Sequence, residues 1–136
     1  MKTCDFCNLG ILEKQKIYET KTEFVIYNIR PATKGQCLII PKRHISNIRE
    51  LSQDELFNLI KTVQFVSEKL NSKLAPAGFN YCFNEGKTAG QSINHFHFHI
   101  LPRYEKDNVP EFHLFHRNHK TKKNLEETEL KKIVDE

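Results

Sequence analysis

The sequence predicts an α+β fold, a mainly antiparallel sheet with one long helix on a face. Three observations predict it. His95-Phe96-His97-Phe98-His99 alternates imidazoles with large apolar side chains, which is the period of a strand. Leu56, Leu59, Ile60, Val63, Val66 and Leu70 recur at helical spacing behind the capping box Ser52-Gln53-Asp54-Glu55. Short apolar runs bounded by Pro and Gly lie on both sides of that helix.

The elements follow in order. Residues 17–29 read as two short strands about a turn at 20–23, the second ending in Phe24-Val25-Ile26-Tyr27. Pro31 and Gly35 break the chain. Cys37-Leu38-Ile39-Ile40, closed by Pro41, is a buried strand. The helix runs from about Gln53 to about Leu74 and is ended by Pro76 and Gly78. A strand at 79–84 follows, then a loop at 85–92 holding Gly86 and Gly90, then the histidine strand as far as Leu101. A short helix is expected at 125–134, with Asn124 and Glu127 as its capping signal. One domain spans 1–136, with its core at about 4–104 and a C-terminal extension at 105–136.

Composition narrows the class. A 38% hydrophobic and 28% charged chain is ordinary for a soluble globular protein. No run approaches the roughly 18 apolar residues of a membrane helix, so no membrane partner is expected. Met1 to Asp5 carries no apolar signal region, and we expect a cytoplasmic protein whose four cysteines are thiols or metal ligands. A net charge of +4 favours an anionic ligand without demanding nucleic acid. Much of the excess lies in the run from His116 to Lys123, expected as a solvated loop, with phosphate contact as the alternative. No aromatic residue interleaves there, so base stacking gains little support.

The chemistry concentrates in three places. Packing does not require three histidines in one strand, whereas imidazole serves as nucleophile, acid, base or metal ligand near neutral pH. The preceding loop, Asn84 to Ser92, has glycines that let backbone N–H groups converge into an anion nest, with Gln91 and Ser92 as side-chain donors. Phosphoryl transfer needs such positioning and charge stabilisation, and an imidazole can carry the covalent intermediate. The third place is Cys4-Asp5-Phe6-Cys7, two thiols at a common zinc spacing that also suits free thiols or a redox pair.

The string Gly90-Gln91-Ser92-Ile93-Asn94-His95-Phe96-His97-Phe98-His99-Ile100-Leu101 resembles the signature of the histidine triad (HIT) family. Cys37 to Ser46 resembles the family's central strand and following turn, and Asn84-Glu85-Gly86 also fits. The resemblance covers about Cys4 to Tyr104. It implies a five-stranded antiparallel sheet and a homodimer formed through the long helix and a sheet edge. It also implies nucleotide hydrolysis or transfer through a nucleotidyl-histidine, with His97 as nucleophile and His99 beside the α-phosphate. Gln91, Ser92 and Gly90 match the phosphate and leaving-group positions. Asn84 matches a polar site residue, Asn28 the ribose contact, and Phe6, Leu9 and Ile29 the base contacts. For those three apolar residues plain core packing is the alternative, and for Asn84 a turn role.

Resemblance to zinc-bearing bacterial members, and to galactose-1-phosphate uridylyltransferase, nominates His44 and His95 to join Cys4 and Cys7 around a structural zinc. In one respect the match departs. Many members carry a histidine where this chain has Gln36, and an amide hydrogen-bonds but carries no proton charge. Leu101-Pro102-Arg103 and Asn28 resemble the branch that favours dinucleoside polyphosphates. The expected activity is therefore release of AMP from a diadenosine tetraphosphate-like substrate. A phosphoramidase, a nucleotide-binding module with little turnover, and a zinc-only structural domain are the alternatives. Cys37 and Cys82 are expected as buried apolar residues. His113, His116 and His119 recur every three residues, but a loop or partner-packing role is expected of them over a metal site.

Overall fold

The computed structural model describes residues 4–109 and 127–135. Five strands form one antiparallel sheet in the order β1-β2-β3-β5-β4. They are β1 (Lys16–Glu19), β2 (Glu23–Tyr27), β3 (Cys37–Pro41), β4 (Gly78–Cys82) and β5 (Phe98–Arg103). Helix α1 spans Leu9–Gln15, α2 Gln53–Leu74 and α3 Glu127–Asp135. The α+β fold with a five-stranded antiparallel sheet and one long helix is therefore present.

Both arms of the α2 capping box form. Glu55 N–H donates to Ser52 Oγ at 3.1 Å, and Ser52 N–H donates to Glu55 Oε1 at 2.9 Å. The helix ends at Ala75, which takes a left-handed conformation (φ 47°) unusual for a residue with a Cβ, and Pro76 follows. Leu59, Val63, Val66 and Leu70 bury one stripe against the sheet, while Ile60, expected in that stripe, is exposed.

The alternation of strand side chains builds two cores. Val25, Ile39, Phe98 and Ile100 pack against α2. Ile26, Leu38 and Ile40 point the other way and are covered by Phe6 and by Leu12 of α1. Leu130 and Val134 of α3 are buried in the α2-side core. The expected cap at Asn124, the basic run 116–123 and His113, His116 and His119 lie outside the described residues. Glu23 is buried on the same side. Its carboxylate accepts from Thr62 Oγ1 of α2 and from Thr22 Oγ1, each at 2.5 Å.

The structure differs from the sequence reading at several elements. Glu23 begins β2 rather than closing the turn, and β4 stops at Cys82, two residues early. The histidine strand begins at Phe98, so only His99 lies in the ladder. His95 sits in a bend, its N–H bonding Ile93 O at 2.8 Å, and His97 lies outside any regular element, just before β5. Helix α1 was not anticipated. Its signal was Asn8, whose side chain accepts from Gly10 N–H and Ile11 N–H.

Candidate functional site

A cavity of about 640 Å³ opens on the sheet face carrying the N-terminal segment, a size typical of small-molecule sites. His97 and His99 line it, together with Ser92 and Gly90 of the loop and Asn84 beyond β4. Asn28 and Ile29 join from the end of β2, and Phe6 from the N-terminal turn. Asp5, Ile11, Gln15 and Arg30 also line it, and the sequence reading singled out none of them. Asp5, Ile11 and Gln15 follow from the covering of this face by the segment 4–15, and Arg30 from the chain leaving β2, placements that only the fold reveals.

His97 is buried, and its Nδ1 lies 2.8 Å from His95 O. A carbonyl oxygen only accepts, so Nδ1 carries the hydrogen and the neutral ring keeps its lone pair on Nε2. Burial pushes His97 below the ordinary imidazole range, against the opposing pull of that carbonyl bond. Phe6 meets the His97 ring edge-on, with centroids 5.2 Å apart. His99 stands beside it at a centroid distance of 5.0 Å. Burial, aided by His97, pushes His99 down to about 3. Both rings are uncharged at neutral pH.

Gln36 touches the triad at His99, not at the nucleophile candidate. Its Nε2 lies 3.4 Å from His99 Nδ1, and its Oε1 accepts from Ala32 N–H at 2.6 Å.

Two expected ligand contacts fall elsewhere. Leu9 is exposed on α1 and does not line the cavity, because Ile11 and Gln15 occupy the inward positions of that helix. Gln91 is buried and braces the loop. Its Oε1 accepts from Gly86 N–H at 2.8 Å and its Nε2 donates to Ser46 O at 2.9 Å. The anion nest is also not built as expected. The N–H groups of Ala89, Gly90 and Gln91 bond carbonyls within the loop. Gly86 (φ 85°) and Gly90 (φ 101°) allow this tight turn, whose left-handed conformations disfavour other residues. The loop therefore presents Ser92 rather than a ring of backbone donors.

Cys4, Cys7, His44 and His95 meet in one cluster, with their ligand atoms all within 4.8 Å of one another. Cys7 Sγ lies 3.1 Å from His44 Nδ1, and the two Nδ1 atoms lie 3.2 Å apart. His95 Nε2–H donates to Pro41 O at 2.8 Å, which leaves its Nδ1 lone pair aimed at the cluster. Phe96 N–H bonds Ile45 O, tying the His44 turn to the triad segment. Arg43, bonded to Glu55 and Glu50 O, anchors that turn on α2. This set of two thiols and two imidazoles suits a metal ion.

The fold and this site define a class: small α+β proteins with paired neutral imidazoles in a ligand cavity beside a Cys/His cluster. The HIT domain profile matches residues 11–106, and the chain belongs to that family. An uncharacterised HIT-like protein of Methanocaldococcus jannaschii is 42% identical over 106 residues, 76% of this chain and 81% of that protein. The crystal structure of a Zn-bound histidine triad family protein from Mycobacterium smegmatis matches with TM-score 0.77 at 25% identity, covering 97% and 90% of the two chains. An adenosine 5'-monophosphoramidase of Schizosaccharomyces pombe is 32% identical over 74% of each chain. A bis(5'-adenosyl)-triphosphatase of Dictyostelium discoideum is 29% identical over 79% of this chain and 72% of that protein. Among the described residues no helix is long and apolar enough to cross a membrane.

Proposed function

We propose that this protein hydrolyses a purine nucleotide derivative, preferably a dinucleoside polyphosphate, through a nucleotidyl-histidine on His97, releasing AMP. One observation carries the reading. The His97 Nδ1–H bond to His95 O keeps a lone pair on Nε2 in a ring that burial holds neutral. The substrate's α-phosphate sits against His97, His99 and Ser92, and Asn28 and Asn84 contact the sugar-phosphate. Asn28 lines the cavity, with its Oδ1 accepting from Arg30 N–H at 2.9 Å. Phe6 and Ile29 supply apolar surface for the base. As the ring becomes cationic on attack, His95 O stabilises the Nδ1–H. Gln91 acts through the loop it braces, and Gly90 through the turn it permits.

The metal we assign to Cys4, Cys7, His44 and His95 is zinc in a structural role. Zn–N bonds of about 2.0–2.1 Å and Zn–S bonds of about 2.3 Å give tetrahedral edges of about 3.3 Å for N–N and 3.6 Å for N–S. The cluster has 3.2 Å between its nitrogens and 3.1–3.5 Å between nitrogen and sulfur. Zinc there fastens the N-terminal turn, with Asp5 and Phe6, over the cavity. We further propose a homodimer through α2 and the edge strand β4, supported by exposed Phe57, Ile60, Tyr81 and Phe83. We place the protein in the cytoplasm, where thiols such as those of Cys37 and Cys82 stay reduced.

The test is AMP release from diadenosine tetraphosphate and from adenosine phosphoramidate, by wild type and His97→Ala. Wild type is expected to cleave at least one, with His97→Ala inactive on both. No release by wild type from either, with AMP still bound, would favour a binding module instead.

A further inference from the structure

This inference rests on the nucleotidyl-histidine reading and concerns which leaving group the site can release. We propose that Gln36 is a positioning residue that locks His99 as a neutral hydrogen-bond donor toward the cavity. The site is thereby matched to phosphoanhydrides, whose leaving group is a polyphosphate, over phosphoramidates, whose leaving group is an amine.

Gln36 is buried and pinned at its backbone. Its N–H donates to Thr33 O and its carbonyl accepts from Asn28 N–H, each at 3.2 Å. The two ends of a glutamine amide are told apart only by their partners. Here Ala32 N–H, a donor and nothing else, lies 2.6 Å from one end, so that end is the oxygen. The other end is the N–H₂ group, and it faces His99 Nδ1 at 3.4 Å, the long end of hydrogen-bonding range. Nδ1 is then the acceptor, and the ring hydrogen sits on Nε2.

Protonating His99 would set an Nδ1–H against the amide N–H₂ in a buried site. Two titratable groups beside the ring, an imidazole and a thiol, carry no negative charge that would offset this. His97 is itself a buried imidazole, 5.0 Å away between centroids. Cys82, the cross-strand partner on β4, is a thiol that burial pushes up to about 12, hence neutral. The partner on β3 is Leu38. These three neighbours are not carboxylates, and Asp5 is a carboxylate lining the same cavity from the N-terminal turn.

The bond changes make this matter. His97 Nε2 forms a bond to the α-phosphorus as the bond to the leaving atom breaks, its electron pair going to that atom. A polyphosphate departs as an anion and needs no proton. An amine must gain a proton as its P–N bond breaks, because an amide anion is far too basic. His99 can donate a hydrogen bond through Nε2–H, but giving that proton away would leave an imidazolate. Water then attacks phosphorus, the N–P electron pair returns to His97 Nε2, and the water's proton goes to solvent.

Two measurements on the full-length, metal-loaded wild type test this, and neither needs a variant. In ¹⁵N spectra of histidine-labelled protein, His99 is expected to show an unprotonated Nδ1 and a protonated Nε2 throughout pH 5–8. In kinetics, kcat/KM for diadenosine tetraphosphate is expected to exceed that for adenosine phosphoramidate by about 100-fold or more, the usual worth of a missing general acid. Gln36→His, which restores an ionisable partner, should shift that ratio toward the phosphoramidate by about tenfold. Gln36→Leu should mix the His99 tautomers. A protonated His99 Nδ1 in wild type overturns the lock. A wild type that cleaves the phosphoramidate as fast as the tetraphosphate overturns the leaving-group assignment. If wild type cleaves neither, the nucleotidyl-histidine reading fails with the leaving-group assignment, and the nitrogen spectra alone still decide the role of Gln36.

Discussion

Phe6→Ala tests whether the N-terminal turn is an integral part of the site. Phe6 is only 6% exposed and packs with Leu12, Ile26, Leu38 and Ile40. Its ring also meets His97 and His95, with centroids 5.2 and 6.0 Å away. A buried phenyl ring removes about 150 Å² or more from water. At ~25 cal/mol/Å² that is about 4 kcal/mol. The unfolded chain already shields part of this surface, which lowers the expected loss to about 3 kcal/mol. Large-to-small changes at buried phenylalanines fall in the same range. Urea denaturation should show that loss as a lower midpoint with an unchanged slope. The His97 Nδ1 bond to His95 O does not pass through Phe6, so the nucleophile keeps its tautomer. KM for nucleotide should therefore rise more than kcat falls. Phe6→Leu, which keeps most of the apolar volume, should recover most of the stability. A Phe6→Ala loss below about 1 kcal/mol with an unchanged KM would refute the reasoning. It would mean that the turn neither seals the core nor covers the cavity.

Other expectations follow from the same geometry. Thr62→Val deprives the buried Glu23 carboxylate of a donor at 2.5 Å. It should cost about 1.5–3 kcal/mol in thermal or urea unfolding, and a loss within error would show that Glu23 finds another partner. Elemental analysis should find one zinc per chain, absent in Cys7→Ser, and a strong chelator should lower Tm. An unchanged Tm together with metal-free protein would remove zinc from the structure. Arg103 holds the Asp107 carboxyl down to about 2, with Tyr104 and Val109 N–H groups adding to the effect. This folded value lies below the unfolded one, so the pair's stabilisation is complete above about pH 4 and is lost as pH falls toward 2. Solvent screening reduces it to about 1 kcal/mol. Asp107→Asn should flatten acid unfolding across that window, and an identical acid profile would show the pair to be inert.

The sequence by itself determined what depends on neighbours along the chain. A 3.6-residue apolar period behind Ser52 and Glu55 is a property of one segment, and α2 runs over Gln53–Leu74 as expected. The strands at Lys16–Glu19, Glu23–Tyr27 and Cys37–Pro41 were legible for the same reason, to within a residue or two. The alternation of histidine and phenylalanine also survives, with Phe96 and Phe98 in the α2-side core and His97 and His99 at the cavity, although the ladder starts only at Phe98. Side-chain alternation belongs to extended backbone and does not need a paired neighbour. Family resemblance supplied what periodicity could not, nominating His44 and His95 as companions for Cys4 and Cys7.

Tertiary structure decided which groups meet across long stretches of chain. Cys4 reaches His95 over a separation of 91 residues, and Gln36 reaches His99 over 63. Neither contact leaves a local periodic trace. Gln91 looks like a phosphate ligand in sequence because an amide can donate to an anion. In the fold Gly86 and Ser46 claim both ends of that amide, since a buried polar group must find partners wherever the chain places them. Leu9 and Ile11 are equally apolar in sequence, and the rotation of α1 on the sheet turns Ile11 to the cavity and leaves Leu9 in solvent. Backbone geometry is local and so can be read from a segment, whereas partnership depends on where the sheet and helices bring distant segments together.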